Sequence, residues 1–136
     1  YGWDIMPRFV SGGIWKKVRL VQRPKERIEQ FYIYTTSADP QNKFASVNVF
    51  FEVHSNEDYF RGLKLTIDGT CGNSEFHAEQ VLWHNFGNIY IGVENAMFWY
   101  PKNAGEQPLY DVTVKLRRDG EVCDSKKIKF GTPCEY

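Results

Sequence analysis

Cysteine is scarce in this chain, and what there is lacks the arrangement that cysteine chemistry needs. Cys71, Cys123 and Cys134 are an odd number with no C-x-x-C spacing. That excludes a disulfide framework and a zinc site as organising features and leaves buried or incidental thiols. No N-x-[ST] acceptor occurs, so glycosylation carries no information about location. Signal peptides, lipidation motifs and apolar runs of membrane-spanning length are missing too. An excess of one charge is also absent: 17 Lys+Arg stand against 17 Asp+Glu. Non-specific nucleic-acid binding and attachment to an anionic membrane both need surplus cation, so neither is expected as a partner. Finally, no stretch sustains a 3.6-residue period, which argues against helices.

What is abundant is aromatic side chain, with Phe 10, Tyr 8 and Trp 4, or 16% of the 136 residues. Such a content suits β-structure and equally suits sugar binding. Period-two alternation dominates. Val47, Val49, Phe51 and Val53 share one face opposite Asn48, Glu52 and His54, with Phe50 breaking the polarity. Leu63, Leu65 and Ile67 repeat the pattern, as do Ile89, Ile91 and Val93, then Tyr110, Val112, Val114 and Leu116, and last Ile128 and Phe130. Residues Ile28 to Thr35 and Phe76 to Trp83 read as strands with mixed faces. Turn chemistry separates these runs at Ser55 to Asp58, Asp68-Gly69 with Gly72-Asn73, Gly87-Asn88, and Asp119-Gly120, the last a tight hairpin. About seven short strands with turns between them predict an all-β, immunoglobulin-like antiparallel β-sandwich, a small barrel being the alternative. Tyr110, opening the penultimate strand, is a candidate for a tyrosine-corner hydrogen bond.

The first 22 residues fall outside that pattern. Ile14 to Leu20 reads as a strand after the flexible Ser11-Gly12-Gly13, and Gln22 to Glu26 is polar, Pro-containing linker. The expected organisation is therefore residues 1–22 as the tail of a preceding β-domain, 23–26 as linker, 27–131 as the sandwich, and 132–136 as the start of a further link. A lone strand at 14–21 needs a partner, which the sandwich or a second copy of the chain would supply as a dimer contact. The sequence begins with Tyr1 instead of methionine and is read as a piece of something longer.

Two motifs carry a resemblance. Trp3-Asp4-x-x-Pro7-Arg8, followed by Gly13-Ile14-Trp15-Lys16-x-Val18-Arg19-Leu20, resembles the end of the jelly-roll domain of glycoside hydrolase family 2, in its β-mannosidase and exo-glucosaminidase branches. Phe98-Trp99-Tyr100-Pro101 with Gly105-Glu106-Gln107-Pro108-Leu109-Tyr110 is similar to the segment leading into the penultimate strand of that family's immunoglobulin-like domain. Lys127 to Gly131 is similar to the sequence that precedes the catalytic barrel. Tyr100 stands where the mannosidase branch often has a second Trp, and Thr132-Pro133-Cys134 departs from the usual joint. The resemblance implies a non-catalytic spacer and docking domain whose partners are the adjacent jelly roll, the (β/α)₈ barrel and the parent's carbohydrate substrate. It implies no cofactor. Trp3, Trp15, Phe98, Trp99, Tyr100 and Gln107 are then the candidate contacts to neighbouring domains or to an active-site rim. Polysaccharide-degrading members are often exported, which slightly favours a periplasmic or secreted parent, although the family also has cytoplasmic and lysosomal enzymes.

Intrinsic catalysis is not expected. Retaining glycosidases need two carboxylates about 5–5.5 Å apart, and in this family both lie on the barrel. Glu94-Asn95 reverses the acid/base pair, and Glu135-Tyr136 follows the sandwich directly. His77 and His84 are seven residues apart, which in one continuous strand puts them on opposite faces, so with His54 they form no metal set. Two rival readings are an autonomous carbohydrate-binding module, which requires aromatics aligned on one exposed surface, and a protein-interaction module.

Overall fold

The computed structural model describes residues 12–14, 16–57 and 60–133. Seven long strands form two antiparallel sheets: β1 (Arg27–Asp39), β2 (Phe44–His54), β3 (Leu63–Cys71), β4 (Ser74–Val81), β5 (Phe86–Glu94), β7 (Tyr110–Arg118) and β8 (Glu121–Phe130). One sheet runs β1-β2-β5 and the other β4-β3-β7-β8. A short parallel pair, β6 (Phe98–Trp99) with β9 (Thr132–Pro133), closes one end. Among the described residues there is no helix. This is an immunoglobulin-like β-sandwich in which the fourth strand lies beside the third, whereas the constant-type arrangement puts it beside the fifth.

Alternation decides which side chains form the core. Val47, Val49, Phe51 and Val53 of β2 meet Leu63, Leu65 and Ile67 of β3, Ile89, Ile91 and Val93 of β5, and Tyr110, Val112, Val114 and Leu116 of β7, all buried. Each fully buried aliphatic of this kind contributes about 1.5–3 kcal/mol of apolar transfer free energy, so two interdigitating faces hold the sheets together. The sheet edges are also stitched across. Asp124 Oδ2 accepts the Ile28 N–H at 2.8 Å, and Lys126 Nζ donates to the Glu29 carbonyl at 3.1 Å.

Two hairpins follow the turn chemistry of their sequences. Asp119-Gly120 joins β7 to β8 with φ of 49° and 92°, the two left-handed residues of a type I′ turn. Gly72-Asn73 joins β3 to β4 with only Gly72 at positive φ, 57°, the pattern of a type II′ turn.

Four expectations are corrected. Gly69 and Gly87 are not in turns but inside β3 and β5. Each lies opposite an aromatic ring that occupies the space a side chain would need: Phe76 over Gly69, and Phe51 over Gly87, where a Cβ would come within 2.9 Å of the ring. Glycine here is a packing device that sequence pattern mistakes for a turn signal. Gly69→Ala should cost about 1 kcal/mol through displacement of the Phe76 ring, measurable as a shift in urea midpoint at constant m-value. Third, β4 stops at Val81, leaving Trp83 exposed in the following loop. Fourth, among the described residues of 12–24 no strand forms, and Ile14, Val18, Leu20 and Val21 are exposed. Alternation alone cannot make a strand; a hydrogen-bonding neighbour is required. Residues 132–133, read as the start of a link, pair with Phe98 and Trp99 in β9.

Candidate functional site

The residues singled out in the Gly-Glu-Gln-Pro-Leu-Tyr segment meet at one end of the sandwich. Tyr110 is fully buried, and its hydroxyl holds that end together. It accepts the Met97 N–H at 2.9 Å and lies 2.7 Å from Ser74 Oγ, which in turn donates to the Glu94 carbonyl at 3.2 Å. The chain of bonds runs Met97 N–H to Tyr110 O–H to Ser74 O–H to Glu94 C=O, each hydroxyl both accepting and donating. It crosslinks β4, β5, β7 and the segment entering β6. Phe76 and Phe130 flank the phenol ring at centroid distances of 5.5 and 6.4 Å. The expected tyrosine corner is thus present, with Ser74 as a partner that no local pattern announces.

The loop between β6 and β7 is closed on itself. Tyr100 N–H donates to the Glu106 carbonyl at 2.9 Å, Gln107 Nε2 donates to the Tyr100 carbonyl at 3.3 Å, and Ala104 N–H donates to the Pro101 carbonyl at 2.9 Å. Gly105 is required, since a Cβ there would come within 2.8 Å of the Tyr100 ring. Pro101 and Pro108, lacking N–H groups, keep this segment out of the sheets. Phe98 is buried in the core, Trp99 and Tyr100 are half-buried, and Gln107 is exposed. Trp99 packs against Gly131, where a Cβ would stand 3.3 Å from the indole. Trp3, Trp15 and Glu135 lie outside the described residues.

Beside this loop opens a cleft of about 540 Å³, lined by Lys43, Asn73, Met97, Tyr100, Glu106 and Pro108 among others. Its walls come from four connections at the same end, and Ala96 N–H bonds the Lys43 carbonyl at 2.8 Å to hold two of them together. Its lining holds one lysine and one glutamate, Lys43 and Glu106, and no second carboxylate beside that glutamate. His77 is bonded to Asp68 at 2.6 Å and His54 to Asn56 at 2.8 Å, while His84 lies past the end of β4. Among the described residues no group of three His, Cys, Asp or Glu side chains could hold a metal.

The opposite end carries a second polar knot, which has no signal in the sequence because its members are up to 97 residues apart. Glu26 in the linker pairs with Arg118 at the end of β7, both side chains largely buried at 12% and 16% exposure. Arg118 also donates to the Arg61 carbonyl at 2.7 Å and to Ser55 Oγ at 3.2 Å, and approaches Glu57 at 3.5 Å. Cys123 Sγ donates to Glu26 Oε2 at 3.2 Å. Burial pushes the Cys123 thiol up, and the bond to Glu26 and that group's charge add to it; burial and then the Asp111 charge raise Cys71. Both thiols therefore stay protonated near neutrality and are poor nucleophiles. Nearby, the hydrogen bond from Arg27 holds the half-buried Glu29 carboxyl below its ordinary range.

Known proteins share this architecture. Beta-mannosidase B of Aspergillus clavatus is 29% identical over 133 residues, covering 96% of this chain and 15% of the relative. A Beta-D-Mannosidase crystal structure from Dictyoglomus thermophilum superposes with a TM-score of 0.71 at 26% identity, over 96% of this chain and 16% of the other. A β-glucuronidase of glycoside hydrolase family 2 shares the fold, with a TM-score of 0.61 at 13% identity over 79% of this chain and 13% of the other. The chain thus spans about 15% of the length of the curated relatives it matches. The sequence model described as "Glycosyl hydrolases family 2" matches residues 26–132, nearly the whole described sandwich, and the chain belongs to that family.

Proposed function

We propose that this chain is the non-catalytic immunoglobulin-like spacer and docking domain of a β-mannosidase-like family 2 glycosidase. In that role it sets the distance and orientation between a jelly-roll domain and the barrel that hydrolyses β-glycosidic bonds with retention. The observation that carries the reading is the placement of the two polar knots. Glu26 is tied to Arg118 at one end of β7, while β9 is paired with β6 next to Tyr110 at the other. The nine residues of β7 separate these ends by about 27 Å at ~3.4 Å per residue. A segment arriving at one end and a segment leaving at the other, each fixed by buried polar bonds, is the geometry of a rigid strut. The closed loop from Tyr100 to Gln107 and the cleft beside it supply the surface through which the strut would meet the barrel, with Trp99 packed at its base. On this reading Trp3 and Trp15 belong to the joint with the jelly roll.

The 136-residue chain alone should release no p-nitrophenol from β-mannoside, β-galactoside or β-glucuronide substrates. Turnover that disappears in Glu94→Gln or Glu135→Gln would overturn the assignment.

A further inference from the structure

The outer face of the β1-β2-β5 sheet carries a feature that the spacer role leaves unused. Register brings three rows together on it: Gln30, Glu52 and Phe86; Tyr32, Phe50 and Asn88; Tyr34, Asn48 and Tyr90. Five of these nine side chains are aromatic and none is aliphatic. Tyr32 and Tyr90 are 64% and 74% exposed, and Phe86 is also open to solvent. The Tyr32 and Tyr34 rings lie 5.6 Å apart, tilted by 31°. Asn48 faces the same side yet is only 2% exposed, because the neighbouring side chains cover it. Its Nδ2 donates to the Tyr34 hydroxyl at 3.0 Å, while its Oδ1 is buried without a donor.

We infer that this face is a carbohydrate-binding platform for a neutral, extended β-1,4-linked hexose chain. Three observations choose the occupant. The rows hold one charged group, Glu52, so a strongly ionic partner finds no complement. The patch is small: about 10 Å between the outer strands and about 14 Å along them, roughly a few hundred Å² with its side chains. A standard protein interface buries ~800 Å² on each partner, more than these three rows offer. Its chemistry also fits a sugar. Flat, electron-rich ring faces accept the C–H face of a pyranose, and the phenol and amide groups around them are hydrogen-bonding partners for its hydroxyls. An extended β-1,4 chain has the flatness of the sheet.

The test is calorimetric titration of the chain with β-1,4-mannohexaose and with cellohexaose, alongside Tyr90→Ala and Trp83→Ala. Tyr90 is so exposed that its removal should leave the fold intact, checked by an unchanged thermal midpoint. Trp83 is an equally exposed aromatic outside these rows. Binding in the millimolar range or tighter is expected for at least one glycan, weakened at least ~tenfold by Tyr90→Ala and unchanged by Trp83→Ala. The proposal is overturned if neither glycan binds at millimolar concentration, or if Trp83→Ala weakens binding and Tyr90→Ala does not. Sedimentation that shows self-association abolished by Tyr90→Ala, with no glycan binding, would assign the face to a second copy instead. None of these results bears on whether the domain is a spacer, which the hydrolysis assay decides separately.

Discussion

Arg118→Ala is expected to lower the unfolding free energy by about 3 kcal/mol, the largest effect of any substitution considered for this chain. The reasoning starts from what is left behind. Arg118 pairs with Glu26 where both are largely buried, and it also serves Ser55 Oγ and the Arg61 carbonyl. Removing one partner of a buried ion pair strands the other charge in a poorly solvated site and costs ~3–5 kcal/mol; partial exposure places this case at the lower end. Arg118→Met is the informative companion, because it keeps the aliphatic stem and loses the charge. It should recover a minor part of the loss, since the stranded Glu26 carboxylate remains the main cost. The double variant Glu26→Gln/Arg118→Met removes both charges and should be more stable than Arg118→Met alone. Urea denaturation of the three variants and the parent chain gives these values, and an unfolding free energy for Arg118→Ala within about 0.5 kcal/mol of the parent chain's, the range of ordinary surface changes, would show that the knot contributes little. The same variants report on the linker. With Glu26 released, trypsin should cut after Lys25 faster than in the parent chain.

Tyr110→Phe is expected to cost about 2 kcal/mol although only one oxygen atom is lost. The ring keeps its place between Phe76 and Phe130, so packing changes little. What changes is that the Met97 N–H loses its acceptor and the Ser74 hydroxyl loses one neighbour, at the position of a fully buried phenol. A buried donor without a partner costs ~1–3 kcal/mol, more than the net value of a typical hydrogen bond. For a domain of this size that corresponds to a fall in thermal midpoint of about 6–10 °C. Ser74→Ala should cost less, because the Tyr110 hydroxyl still accepts from Met97. The two substitutions act on one chain of bonds, so the double variant should be less destabilised than their sum. Additive effects would mean that the bonds act independently. Since Met97 leads into β6, hydrogen exchange of the Phe98 and Trp99 amides should accelerate in Tyr110→Phe before global unfolding.

The two knots differ in how far they could be read in advance. Tyr110 was visible because it opens a clean alternating run and follows the Gly-Glu-Gln-Pro-Leu segment, so both its burial and its corner role follow from local pattern. Glu26 and Arg118 were not. Glu26 sits in a polar, Pro-containing stretch whose composition says linker, and Arg118 ends a strand where a solvated charge is ordinary. Their meeting depends on the sheet bringing residue 118 beside residue 26, 92 positions away. Gly69 and Gly87 show the same limit from another side. A Gly next to Asp or Asn has turn chemistry locally, but an aromatic ring on the paired strand gives it a different reason to be there. The stretch from Ile14 to Leu20 shows the converse: alternation is present, yet no strand forms among its described residues, because side-chain alternation does not by itself supply a ladder of backbone hydrogen bonds.

The aromatic surplus divides along the same line. Phe51, Phe76, Tyr110 and Phe130 are core, and period-two alternation assigned three of them directly. Tyr32, Tyr34, Phe50, Phe86 and Tyr90 come from three separate segments, and only strand pairing lines them up on one outer face. By itself the sequence determined the all-β class, the inward faces of the main strands, the Asp119-Gly120 hairpin and the family. All of these are encoded over a few consecutive residues, within the reach of local sterics and side-chain polarity. The tertiary structure alone decided the Glu26–Arg118 knot, the Ser74 partner of Tyr110, the packing role of two glycines and the aromatic platform. Each of these is a relation between strands, and register between strands is set by the collective burial of a whole face, not by any one segment.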